Sequence, residues 1–89
     1  MIRKHVIVTG RVQGVGFRYS ARGKAGQWGL AGYVRNLDDG SVEVEIEGRE
    51  ASVARMLAWL HTGPDSAVVD RVQDVDVPVT GENRFSVIH

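Results

Sequence analysis

Residues 42–47 read Val-Glu-Val-Glu-Ile-Glu. A strict two-residue alternation over this length is the period of a β-strand. Val42, Val44 and Ile46 must face a core, while Glu43, Glu45 and Glu47 are expected on an open, wet face. The rest of the chain has to be arranged around a sheet covered on one side.

The other elements follow by the same reasoning. His5–Thr9 is a β-branched run typical of a second strand. Gly10-Arg11-Val12-Gln13-Gly14-Val15-Gly16 carries three glycines in seven residues and reads as a loop. From Phe17 the period changes: Phe17, Ala21, Ala25 and Trp28 share one helical face. Gly23 and Gly26 weaken that helix by roughly 1 kcal/mol each relative to alanine, and Gly29 is placed to stop it. Ala31–Leu37 reads as a strand, and Asp38-Asp39-Gly40 as the hairpin turn into Val42. Val53, Met56, Leu57 and Leu60 give a second amphipathic helix over 50–62, ended by Gly63-Pro64. Val68–Val77 is strand-like, with a slip of phase between Val72 and Val75 that suggests a bulge. Pro78–Asn83 is a loop, and Phe85–Ile88 a short last strand.

The order is β-α-β-β-α-β plus a terminal strand. That is the pattern of an α+β, ferredoxin-like sandwich: a mostly antiparallel sheet with two helices on one face. At 89 residues the chain is expected to form a single domain, 1–89. In the usual strand order, 4-1-3-2, the 10–17 loop and Asn36 leave the same edge of the sheet. Two strand spacings, roughly 10 Å, separate them at the backbone.

The loop suits a phosphate. Glycines let successive N–H groups turn inward, and the helix that follows adds its N-terminal dipole. Arg18, in the first helical turn, can offer a two-pronged donor. Seven basic residues and no acid lie in 1–35, whereas all eleven acids lie in 36–89. That is either local solvated charge or a positive field for a small anion. The loop matches neither the Walker nor the dinucleotide pattern. Its chemistry alone leaves two readings open, a phosphate cradle and a plain strand-to-helix turn.

The segment Gly10 to Arg18 resembles the signature loop of the acylphosphatase family. Gly29-Leu30-Ala31-Gly32-Tyr33-Val34-Arg35-Asn36, followed by Asp39-Gly40 and Val42-Glu43, resembles its second signature, at the family's spacing. Tyr33 stands where the family often has tryptophan, and Trp28 where a leucine is common. The resemblance implies hydrolysis of a carboxyl-phosphate bond to carboxylate and inorganic phosphate. It implies that the amides of Gln13, Gly14, Val15, Gly16, Phe17 and Arg18 wrap the phosphate. Arg18 would bind it through the guanidinium, and Asn36 would hold the attacking water. It implies a small acyl phosphate as substrate and phosphate as product and inhibitor, with no cofactor.

The remaining candidates read as ordinary structure. His5, His61 and His89 lack ligand spacing, so no metal site is expected. Trp28 and Trp59 belong to the core or its boundary, Tyr19 and Ser20 to the helix surface, and Arg35 to a solvated strand. There is no cysteine, which excludes disulfides and thiol nucleophiles. No apolar run reaches transmembrane length and none forms a signal peptide, so a cytoplasmic monomer with no membrane partner is expected. Zero net charge, and no aromatics on His5–Thr9 or Val42–Glu47, argue against an RNA-binding sheet. A non-catalytic phosphate-binding module is the alternative, and the short chain favours a free-standing enzyme.

Overall fold

The computed structural model describes residues 1–89. Its elements are β1 (Ile2–Arg11), α1 (Phe17–Gln27), β2 (Ala31–Asn36), β3 (Val42–Gly48), α2 (Glu50–Leu60), β4 (Val68–Val77) and β5 (Phe85–Ile88). The sheet order is β4-β1-β3-β2-β5. β1 pairs antiparallel with β3 and β4, and β2 antiparallel with β3. β5 joins the outer side of β2 in parallel. The expected α+β sandwich is therefore present, with its extra strand at the β2 edge.

The core lies between the sheet and the two helices. Val6, Val8, Val34, Val42, Val44 and Ile46 meet Phe17, Ala21 and Ala25 of α1 and Val53, Met56 and Leu60 of α2, all buried. Each large aliphatic contributes about 1.5–3 kcal/mol by leaving water. Gly29 follows the α1 cap at φ 66°, and Gly23 and Gly26 sit on the helix's outer side.

The acidic face of β3 is not wet, contrary to the alternation reading. Glu47 is 1% exposed and Glu43 is buried. Register explains this. Arg3 lies opposite Glu47, His5 and Tyr33 opposite Glu45 on either side, and Arg35 opposite Glu43. Arg3 donates to Glu45 at 2.6 Å and to Glu47 at 3.0 Å. His5 Nε2 lies 2.8 Å from Glu43, which Arg35 also engages. The loop after β4 then folds over this face, and the Thr80 and Gly81 amides donate to Glu47 at 2.8 and 3.0 Å. A two-residue period reveals which side chains share a face, not what covers it.

The bulge also sits elsewhere. Thr9 pairs with Arg71 and Gly10 with Val69, leaving Asp70 as the extra residue. Val69 and Val72, three apart, thereby both pack on the core. Between Val72 and Val75 the ladder runs without a shift, and the two valines point to opposite faces, with Val75 59% exposed. Gly10, at φ 129°, meets this bulge so closely that a Cβ would lie 2.2 Å from the Val68 carbonyl oxygen.

Candidate active site

The loop between β1 and α1 is pinned at both ends by apolar residues. Val12 is buried at its start, and Phe17 is buried at its end with its ring 5.5 Å from that of Trp59. Between them Gly14 and Gly16 take φ 72° and 78°, left-handed values that suit glycine. The amides of 13–18 donate to no acceptor in the chain. Helix α1 has no side-chain cap and no acid in its first turn. The result is a run of unpaired N–H groups at a helix N-terminus, an arrangement that attracts an anion.

Arg18 lines the cleft beside this loop, with Nη1 donating to the Ile88 carbonyl at 3.4 Å. It forms no ion pair, whereas Arg3, Lys4 and Arg35 are paired with the sheet's acids. Among the basic residues of the first third, Arg11, Arg18, Arg22 and Lys24 remain without a carboxylate partner, so the positive field rests mainly on α1. Arg35 adjoins Asn36 in sequence but turns to the opposite sheet face, where the Glu43 hydrogen bond raises its pKa.

Asn36 ends β2. Together with Val12, Gly14, Gly16, Phe17, Arg18 and Tyr19 it lines a cleft of about 120 Å3. Its Oδ1 is buried and has no hydrogen-bond partner, and no other buried side-chain N or O is in that state. Orphaned buried acceptors are costly and mark a site where something polar is meant to sit. The turn behind it is firm. Asp39 accepts from the hydroxyl and the amide of Ser41, bonds that hold its carboxyl below the usual range.

A larger cleft, about 480 Å3, opens at the other end of β2 beside Leu30, Arg84 and Phe85. The buried acid there, Glu47, is fully bonded by Arg3, Thr80 and Gly81. Its pKa is lowered first by the Thr80 amide, against its burial. That cleft holds no buried side-chain acceptor without a partner, whereas the smaller one holds Asn36 Oδ1.

The fold thus brings Gln13, Gly14, Val15, Gly16, Phe17, Arg18 and Asn36 to one end of the sheet. It also adds neighbours that the sequence reading left on the surface. Tyr19 lines the cleft although 50% exposed. His89 lies with Nδ1 3.4 Å from Arg18 Nη1 and Nε2 3.3 Å from the Tyr19 hydroxyl. The parallel pairing of β5 with β2 delivers His89 there, and no local pattern in Phe85–Ile88 specifies that pairing. No group of three or more His, Cys, Asp or Glu side chains is placed to hold a metal ion.

The family model described as Acylphosphatase matches residues 4–87. The chain belongs to the acylphosphatase family. It is 50% identical over 92 residues to an acylphosphatase of Roseiflexus sp. (strain RS-1), covering 99% of this chain and 96% of that one. It superposes on the crystal structure of an acylphosphatase from Bacillus subtilis with a TM-score of 0.97 at 37% identity, each chain fully covered. It also matches HypF of T. kodakarensis with a TM-score of 0.83 at 38% identity, spanning 98% of this chain but 12% of that one.

Proposed function

We propose that the chain, as one acylphosphatase-like domain over 1–89, hydrolyses the carboxyl-phosphate bond of small acyl phosphates. The amides of 13–18 and the Arg18 guanidinium hold the phosphate. Asn36 Oδ1 accepts a hydrogen bond from a water and aims it at phosphorus. The phosphorus–oxygen bond to the acyl group breaks as the water oxygen bonds to phosphorus. The carboxylate leaves with the bonding pair, and the water's proton passes to a phosphate oxygen. Acyl phosphates have good leaving groups and a loose transition state, so positioning and charge stabilisation carry the catalysis. Arg18 and the amides supply positive charge where negative charge is shared among the phosphate oxygens.

The observation that carries this reading is the unpartnered Asn36 Oδ1 in one cleft with Arg18 and the two left-handed glycines. The test is release of inorganic phosphate from acetyl phosphate by the wild-type chain and by Arg18→Ala. The wild type should turn over, and Arg18→Ala should lose at least ~10²-fold in kcat, as loss of a preorganised donor does. Near-normal turnover in a folded Arg18→Ala protein would refute the assignment.

The match to a small part of HypF favours a second reading, a module that binds phosphate or acyl phosphate without turnover. Tight phosphate binding with no hydrolysis by the wild type would select it. The reading also has the chain acting as a cytoplasmic monomer, without nucleic acid or membrane partners. Supporting it, β1 and β3 carry no aromatics for stacking bases, and no helix is long and apolar enough to cross a membrane.

A further inference from the structure

The two halves of the proposed site come from strands that do not touch. The phosphate loop leaves β1 and Asn36 ends β2, with β3 between them. No sheet hydrogen bond joins the loop to the hairpin that carries Asn36. One side chain does. Gln13 Nε2 donates to the Leu37 carbonyl at 2.8 Å and to the Ser41 carbonyl at 2.9 Å.

Both acceptors belong to a rigid turn. The Leu37 amide donates to the Ser41 carbonyl at 2.9 Å and the Gly40 amide to the Leu37 carbonyl at 3.2 Å. Ser41 is buried and tied to Asp39. The two hydrogens of the Gln13 amide match the two carbonyls. Turned over, its oxygen would face two carbonyl oxygens, so only a donor fits. Gln13 directly precedes Gly14, and Leu37 directly follows Asn36. The bridge therefore spans the site at one peptide's remove on each side.

We infer that the Gln13 side chain is a positioning residue that fixes the distance between the phosphate loop and the water-orienting Asn36. The inference rests on the water-positioning reading given above. It separates two duties of one residue: the Gln13 backbone amide belongs to the loop, while its side chain sets where the loop stands relative to Asn36. Losing the bridge leaves every phosphate donor in place but lets the water drift from its line of attack.

The experiment compares Gln13→Met, which keeps the bulk without the donor, and Gln13→Glu, which keeps the shape without the donor. Each is made in the wild-type and the Asn36→Ala backgrounds. Acetyl phosphate turnover, inhibition by inorganic phosphate and melting temperature are measured for each. Both variants should lose ~10- to 100-fold in kcat, the scale of a misplacement near 1 Å, and Gln13→Met, which adds no charge, should keep its phosphate inhibition constant within about threefold of wild type. In the Asn36→Ala background the same substitutions should change kcat by less than about twofold, because coupled residues are non-additive. A folded Gln13→Met protein with wild-type kcat overturns the inference. So does an equal loss in both backgrounds, or, in Gln13→Met, a phosphate inhibition constant that rises in step with the fall in kcat. Any of these leaves the Asn36 reading standing. Full kcat in Asn36→Ala alone overturns that reading, and the inference with it.

Discussion

Arg18 and Glu47 show how differently the fold treats two charges. Glu47 is buried and satisfied on every side, whereas Arg18 is left without a counter-ion in the cleft beside a loop of free amides. A fixed cluster of donors recognises a tetrahedral oxyanion more than the group attached to it. Phosphate and sulfate should therefore inhibit competitively, raising apparent KM at constant kcat, and acyl chains of varied length should be accepted. Inhibition confined to kcat would argue against a shared site. Arg18→Lys should regain part of the phosphate affinity lost in Arg18→Ala but little of the rate, because an ammonium keeps the charge and not the fork. The glycine-rich loop ahead of Arg18 was legible as a candidate anion site, but its chemistry left a plain turn equally open, and the phosphate role came from the resemblance to the family. The Gln13 bridge and the approach of His89 were not legible. They depend on contacts 24 and 71 residues away in sequence, which no local pattern encodes.

At the scale of elements, the glycines divide by environment. Gly32, in β2 at φ 132°, has the Glu45 carbonyl oxygen 1.9 Å from where a Cβ would sit. Gly32→Ala should cost at least ~3 kcal/mol, from left-handed strain and a backbone clash that no rotamer relieves. That corresponds to a fall of more than about 12 °C in melting temperature. Gly23→Ala and Gly26→Ala should do the opposite, since a Cβ there meets nothing within 4 Å. Each should stabilise α1 by ~0.5–1 kcal/mol, read as a higher melting temperature at unchanged activity. Element type and order were readable because hydrophobic period and turn residues act locally. The bulge was misplaced because valines three apart fit two structures: opposite faces of a regular strand, as at Val72 and Val75, or one face across an extra residue, as at Val69 and Val72.

For the whole molecule, the buried polar layer on the second sheet face should govern the response to acid. Glu47 is held low, first by the Thr80 amide; for Glu43 burial is the largest single effect and raises the pKa, but His5 and Arg35 together outweigh it and hold the carboxyl low. Burial, then Glu43 and Glu45, push the Tyr33 hydroxyl up to about 12, so it remains a donor to Glu45 at neutral pH. A carboxylate with a folded pKa below its unfolded value binds fewer protons when folded. Its stabilisation is complete above the unfolded value and fades as pH falls through the folded one. Melting temperature should accordingly hold near neutrality and drop below the ordinary carboxylate range. Glu47→Gln should flatten that drop while lowering stability at neutral pH. An unchanged acid slope in Glu47→Gln would show that another group controls it. Turnover should be indifferent to EDTA, because in the proposed mechanism Arg18 and the loop amides provide the charge the transition state needs. Loss with EDTA and recovery with Mg²⁺ would contradict that.

In the proposed mechanism labour is divided: Arg18 and the loop hold the phosphate, and Asn36 holds the water. The most direct test of this division is kcat and the phosphate inhibition constant, measured on Asn36→Ala beside Arg18→Ala. Asn36→Ala should lose ~10²-fold in kcat with phosphate affinity within a few-fold of wild type, the mark of an interaction made mainly in the transition state. Arg18→Ala should lose both. A folded Asn36→Ala protein with nearly unchanged kcat and a lower melting temperature would contradict the account and leave Asn36 a turn residue.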